Sequence, residues 1–353
     1  MKPDRLIKRV FLTAAPTLLA LQAVSCHAVF EDEEKCETVY NVHFIYDMNL
    51  KWADAFSSEV NSVNLYIFDK EGVFIQEISQ PANPLTPSTY RIPQELIPGE
   101  YMFLAWCGLE SPEGKGESFT VPQPVAGVTR IEDLTCTLNT VTAGNGALES
   151  DTQLKFLFHG LQTYQLDDNS DGREYSYPIY LTKDTNHIRI ILQELSGDDM
   201  VASDYSVSIE CADGSLAYNN DLIASPIVTY MPWAQQSDIM GLGEQDGNIK
   251  YNYGLVADLS VSRMMASQED EMYLTVRNNN SDSNIIARVP IIQYALLAKS
   301  YYEDAYGHVM TNQEFLDRED EYQMTFFLYN DRWQNSYIDI NSWRVVLHNY
   351  DVE

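Results

Sequence analysis

Apolar and polar positions alternate with period two along most of the chain, the spacing that sends successive side chains to opposite faces of a β-strand. In Tyr40-Asn41-Val42-His43-Phe44-Ile45-Tyr46, the residues Tyr40, Val42, Phe44 and Tyr46 share one face. Residues 64–68 and 73–78 are apolar runs joined by Asp69-Lys70-Glu71-Gly72, a hairpin signal with glycine where a positive φ costs least. The turn Ile97-Pro98-Gly99-Glu100 feeds a strand over 101–107, and another short strand is predicted over 154–158. Strands follow at 177–181 and 187–192, and Tyr205, Val207, Ile209 and Cys211 alternate cleanly. Further strands are predicted at 255–261, 272–276, 285–292, 322–329 and 343–347.

Helix signals are few. Residues 290–302 read as the end of a strand running into a helix, and Thr311-Asn312-Gln313-Glu314 is a capping box opening a short helix to about residue 320. Many short strands, regular turns and little helix predict an all-β chain built of β-sandwiches. The polar stretch Asp167-Asp168-Asn169-Ser170-Asp171-Gly172 suits a linker. It divides the chain into an N-terminal sandwich at 39–170 and a C-terminal one at 171–353.

The first 36 residues carry a different pattern. Lys2, Arg5, Lys8 and Arg9 precede an apolar run over 10–24, too short for a stable membrane span. Residues 1–25 therefore read as an export signal. Leu21-Gln22-Ala23-Val24-Ser25-Cys26 is a loose bacterial lipobox, which makes the Cys26 thiol the expected acylation site. The acidic run Glu31-Asp32-Glu33-Glu34 makes 26–38 a tether, similar to the tag of surface-exposed lipoproteins. The competing reading is an ordinary cleaved signal with Cys26 incidental. Beyond the signal no apolar run is long enough to cross a bilayer.

Charge narrows the partners. The chain has 22 Lys and Arg against 52 Asp and Glu, a net charge of −30 spread along its length. Such a surface repels nucleic acid and anionic headgroups, so nucleic-acid binding is excluded. Of five cysteines, Cys26, Cys36, Cys107, Cys136 and Cys211, acylation of the first leaves four and three disulfide connectivities. Cys36 lies just before the first strand and Cys107 ends a later one, and theirs is the favoured pairing. No C-x-x-C spacing suggests zinc or a redox site.

Catalytic constellations are missing. The six histidines are scattered, without an H-E-x-x-H motif, and there is no nucleophile elbow, P-loop or dinucleotide fingerprint. Asp167, Asn169 and Asp171 with Gly172 match the first half of a calcium loop, but its twelfth position is Pro178 where glutamate is needed. They make a weak candidate calcium site, against the simpler reading of a solvated turn. The 23 Tyr and 5 Trp are read mainly as half-buried sheet packing, with sugar stacking as the alternative.

Several stretches in order resemble one family. They are Asn64-Leu65-Tyr66-Ile67-Phe68-Asp69-Lys70-Glu71-Gly72, Ile97-Pro98-Gly99-Glu100-Tyr101 leading to Ala105-Trp106-Cys107-Gly108, and Leu157-Phe158-His159-Gly160. Leu181-Thr182-Lys183-Asp184-Thr185-Asn186-His187-Ile188-Arg189-Ile190, Glu314-Phe315-Leu316-Asp317-Arg318-Glu319 and Ile338-Asp339-Ile340-Asn341-Ser342-Trp343 complete the set. Together they resemble the fimbrillin-A associated anchor proteins of Bacteroidales. The resemblance implies two tandem transthyretin-like β-sandwich domains on a lipoprotein at the base of a surface fimbria, which holds the polymer to the outer membrane and ends its elongation. Some relatives are accessory or tip subunits. It implies no catalytic residue and no cofactor, and carries over only Cys26, whose lipobox lacks the usual Leu at −3.

The expected partners are fimbrial stalk or accessory subunits, gripped by strand addition, and the outer membrane, reached through acyl chains. The strand at 343–347 or that around Tyr40–Tyr46 is the candidate pairing element, unless both are internal. The expected function is a lipid-anchored fimbrial anchor or accessory subunit, not an enzyme. A surface glycan-binding lipoprotein and a fimbrial tip subunit are the alternatives.

Overall fold

A computed structural model describes residues 37–80, 87–110, 118–245, 248–280, 284–340 and 343–348. The period-two segments form strands almost throughout, and the molecule is all-β with short helices at Phe56–Glu59, Ile291–Leu296, Lys299–Tyr306 and Asn312–Arg318. The hairpin forms as its turn residues predict. Strands Val63–Asp69 and Phe74–Gln80 pair antiparallel, Gly72 takes φ 80°, and the Asp69 carboxylate accepts from the N–H groups of Glu71 and Val73, both at 2.9 Å.

That hairpin edges a five-stranded sheet in the order Thr182–Lys183, Phe158–Leu166, Gly99–Cys107, Val63–Asp69, Phe74–Gln80. A three-stranded sheet faces it, with Val39–Ile45 between Glu174–Tyr180, which runs parallel to it, and Thr89–Arg91. The two close over a core of Tyr40, Val42, Phe44, Val63, Leu65, Phe103 and Cys107. Alternation makes the five-stranded sheet two-faced. Leu65 and Ile67 point into this core, whereas Tyr66, Phe68, Leu104 and Trp106 join a second, larger core shared with the rest of the chain.

The second core lies between two six-stranded sheets. One runs Ala234–Gln245, Asn248–Ser262, Thr185–Glu194, Glu321–Tyr329, Arg332–Ile340, Trp343–His348. The other runs Asn284–Pro290, Tyr273–Asn278, Tyr205–Cys211, Val228–Tyr230, Leu148–Ser150, Val141–Thr142. Its last two strands come from the first half of the chain. So do Thr135–Leu138 and Phe119–Thr120, which form a small sheet with Ser215–Ala217.

Pairing therefore corrects the expected division at 170/171. Glu174–Tyr180, expected in the C-terminal domain, belongs with the N-terminal sheet, and strands between Phe119 and Ser150, expected in the N-terminal domain, complete C-terminal sheets. The polar stretch 167–172 is a turn inside one sandwich. Tyr40 donates its hydroxyl to the Asp167 carbonyl at 2.8 Å and accepts from the Asn169 N–H at 2.9 Å, pinning the turn to the first strand. The chain passes between the two systems at Asp184, between Lys183 and Thr185.

Other differences are local. Residues 154–157 are loop, and the strand begins at Phe158. Gly108, at φ 89°, lets that loop cross closely, since a Cβ there would stand 1.9 Å from the Phe156 carbonyl oxygen. The strands Ala234–Gln245 and Arg332–Ile340 escaped the apolar pattern because they are largely polar.

Candidate functional site

The seam between the two sandwich systems gathers the chain's buried charges. Lys183 reaches it because its strand ends the five-stranded sheet and alternation turns the side chain inward. Its side chain is only 3% exposed. The ammonium lies 3.0 Å from Glu59, the last residue of the first short helix, and bonds Asp320, just ahead of strand Glu321–Tyr329. The Phe156 ring covers it, with the ammonium 3.5 Å from the ring centre. Three segments far apart in sequence thus meet on one lysine.

A second clamp stands beside it. Thr311 caps the helix Asn312–Arg318, its hydroxyl accepting from the Glu314 N–H at 3.0 Å, which is one half of the expected capping box, while the Glu314 carboxylate bonds Arg318 and His308. The cap sets the helix so that Arg318 in its last turn faces the N-terminal segment. Arg318 bonds Glu314 at 3.0 Å and donates to the carbonyls of Asp47 and Asn49 at 3.1 and 3.3 Å. Trp52 lies over its guanidinium at 3.6 Å. Trp52 itself has φ 52°, a conformation that bulky residues seldom adopt.

A third cluster lies deeper. Arg263 grips Asp317 with two bonds of 2.9 and 2.8 Å and stands 3.6 Å from Asp184, which accepts from Asn220 at 2.8 Å. Burial pushes the Asp184 carboxyl up to about 7 and that of Glu319 up to about 8. A cleft of about 280 Å³ opens above these groups, lined by Tyr46, Glu59, Phe156, Lys183, Arg318 and Glu319. Lys183 and Arg318 are held by carboxylates already, so the arrangement works as a joint between the sandwiches. Perturbed carboxyls also mark catalytic sites, but here desolvation within an ion-pair network explains them.

The residues expected from the sequence lie elsewhere. Cys26 and Cys36 fall outside the described residues. The Cys107 thiol is wholly buried in the N-terminal core, pointing inward among Leu65, Ala105 and Phe158, and its expected bridge runs to Cys36, outside the described residues. The loop of the candidate calcium site, Asp167, Asn169 and Asp171, is tied by hydrogen bonds of its own. Asp171 accepts from the Tyr175 hydroxyl at 2.7 Å and the Arg173 N–H at 3.1 Å, and the tyrosine holds its carboxyl below the usual range. Asp167 and Asn169 offer their main-chain carbonyls to Tyr40. Among the described residues no three His, Cys, Asp or Glu side chains are grouped to hold a metal.

The two candidate pairing strands part company. Val39–Ile45 has a neighbour on each side, so it is interior. Trp343–His348 pairs with Arg332–Ile340 and ends its sheet, the other side of the strand having no neighbouring strand among the described residues. Sequence reasoning missed the seam altogether. Its one visible trace was the run from Leu181 to Ile190, whose Lys183 and Asp184 now prove to be the crossing point.

Comparison with known proteins agrees with this architecture. The family model of fimbrillin-A associated anchor proteins, Mfa1 and Mfa2, matches residues 33–349. No curated protein matches the chain. A solved candidate adhesin of Bacteroides thetaiotaomicron is 30% identical, with a TM-score of 0.72 over 90% of this chain and 100% of that one. A solved candidate polysaccharide-binding protein of the same species is 23% identical, with a TM-score of 0.70 over 89% and 99% of the two chains. The fimbrial anchor protein Mfa2 of Porphyromonas gingivalis is 15% identical, with a TM-score of 0.62 over 89% and 100%. The latter two likenesses are of fold.

Proposed function

Because the chain belongs to the family of fimbrillin-A associated anchor proteins, we propose that it is a lipid-anchored subunit that attaches a surface fimbria to the outer membrane and limits its length. Cys26 carries the acyl chains in this reading, and the acidic segment to residue 38 spaces the sandwiches from the bilayer. Several acyl chains on one cysteine give the stable membrane residence that a single chain does not. The neighbouring fimbrial subunit is held by strand addition.

The observation that carries this reading is the edge of Trp343–His348 that no strand covers among the described residues. An edge strand presents unpaired N–H and C=O groups, so a strand from another subunit finds a row of main-chain partners, while its alternate side chains choose the register. Cores of buried leucine, valine and aromatic residues on each side of the seam make a stiff base for a polymer under load.

Proline placed at Val345 in one variant and Val346 in another tests the edge, because adjacent residues point their N–H groups to opposite sides of a strand. The variant whose lost N–H faces outward should keep its thermal midpoint and lose co-purification with fimbriae, which are shed or overlong. A variant that stays folded on each of these replacements and still holds fimbriae of normal length removes the edge from the mechanism. Cys26→Ser should abolish acyl labelling and release the protein from the membrane; retention in the membrane would overturn the anchor.

A further inference from the structure

We propose that Asp184 is a neutral carboxylic acid closing a two-hydrogen-bond ring with the Asn220 carboxamide, and that its proton fastens the turn at 217–222 to the seam. Asn220 Nδ2 donates to Asp184 Oδ1 at 2.8 Å. Both residues are buried, Asp184 completely and Asn220 at 5% exposure. The remaining oxygens of the same two groups, Asp184 Oδ2 and Asn220 Oδ1, are both buried and both lack a hydrogen-bond partner. An ionised carboxylate and an amide oxygen are acceptors only, so ionised Asp184 leaves two desolvated acceptors bare. One proton on Oδ2 makes it a donor to Asn220 Oδ1 and satisfies both atoms. Turning the amide over would only change which carboxyl oxygen needs the proton.

The backbone fixes the amide in place. Asn220 sits at φ 67°, a left-handed conformation that asparagine tolerates better than most residues. Its N–H donates to the Ala217 carbonyl at 2.9 Å, its own carbonyl accepts from Arg263, and the Tyr218 carbonyl faces His159 Nε2 at 2.8 Å. Asn220 therefore has little freedom to seek another partner.

The surrounding charges favour the neutral acid on balance. Complete burial disfavours the carboxylate, and Asp317 on its helix adds to this. Arg263, at the end of its strand, opposes them, but its guanidinium already carries the bidentate bond to Asp317. Tyr46 and Cys136 face the same carboxyl, Asp221 lies toward Arg263, and burial keeps His159 neutral by pushing it down to about 4. Above neutrality, loss of the proton sets oxygen against oxygen in the ring and loosens the turn from the strand Phe158–Leu166 and the end of Asn248–Ser262.

Carboxyl carbon NMR of the ¹³C-aspartate-labelled protein tests the proposal, with Asp184→Asn assigning the signal. The Asp184 resonance should be that of a protonated acid at pH 5 and titrate near neutrality, and Asn220→Ala should move its midpoint. Asp184→Asn keeps the ring, because its amide donates to Asn220 Oδ1. Its thermal midpoint should gain on wild type as pH rises from 5 to 8. An ionised Asp184 signal at pH 5 overturns the proposal, as does a difference in midpoint that is constant from pH 5 to 8. If Asp184→Asn does not fold, the Asn220→Ala shift assigns the resonance and the wild-type titration decides.

Discussion

Lys183 and Glu59 lie 3.0 Å apart at the seam, although 124 residues separate them in sequence. The lysine is buried, while Glu59 and Asp320 keep roughly a quarter of their side-chain surface in water. The ion pairs therefore act as a locating pin between the short N-terminal helix and the strand Glu321–Tyr329. Phe156 shields the pin from solvent and raises the strength of its electrostatics.

Lys183→Met should destabilise the chain by about 1–3 kcal/mol, below the cost of breaking a fully buried pair, because the two carboxylates can rehydrate. Adding Glu59→Gln and Asp320→Asn should recover part of the loss by removing the stranded charges. Urea denaturation of the three proteins measures both steps. A triple variant no more stable than Lys183→Met would show that the lysine's packing under Phe156, rather than its charge, holds the seam.

Leu65 and Leu104 are both fully buried, on opposite faces of one sheet and in different cores. Each Leu→Ala replacement should cost about 2–5 kcal/mol, the lost transfer energy plus the cavity left behind. Because the sheet is shared, both should shift one common unfolding transition. Calorimetry showing two transitions, each moved by only one of the variants, would mean that the cores fold independently.

Stability should fall from pH 5 to about 8. Burial pushes Asp184 and Asp213 up to about 7 and Glu319 up to about 8. Each keeps in the folded state a proton that the unfolded chain gives up near pH 4. That contribution is full below pH 4 and lost as pH rises through 7 to 8. His159, lowered to about 4, works the other way: the unfolded histidine binds a proton up to about pH 6.5 and the folded one does not, so stability gains with pH over that range. The one histidine offsets only one of the three carboxyls below 6.5; each group still protonated in the fold loses about 1.4 kcal/mol per pH unit, until it titrates. Urea midpoints taken in steps from pH 5 to 8.5 should fall most steeply below about pH 7 and level off above about pH 8; a midpoint climbing from 5 to 7 would contradict the assignment.

Local chemistry was legible wherever a residue's neighbours in sequence are its neighbours in space. The Asp69–Gly72 turn, the Thr311 cap and the alternation of Tyr205 to Cys211 each follow from a few adjacent residues, and all three form as expected. The resemblance carried by short ordered stretches also held, because family membership is written in the same local patterns. The polar strands Ala234–Gln245 and Arg332–Ile340 were missed for the converse reason, since strand pairing can hold a segment that buries few apolar side chains.

By itself, then, the sequence determined an all-β chain, the positions of most strands, their inward and outward faces, and the family. Backbone sterics and two-residue periodicity act over a few residues, so they can be read along the chain. Tertiary structure alone decided which strand lies beside which. It set Glu174–Tyr180 next to Val39–Ile45, carried the strands between Phe119 and Ser150 across into the C-terminal sheets, and assembled Lys183, Glu59 and Asp320 from three distant segments. Partner choice is settled by the simultaneous burial of both faces of a shared sheet, and that balance exists only once the whole chain has closed around it.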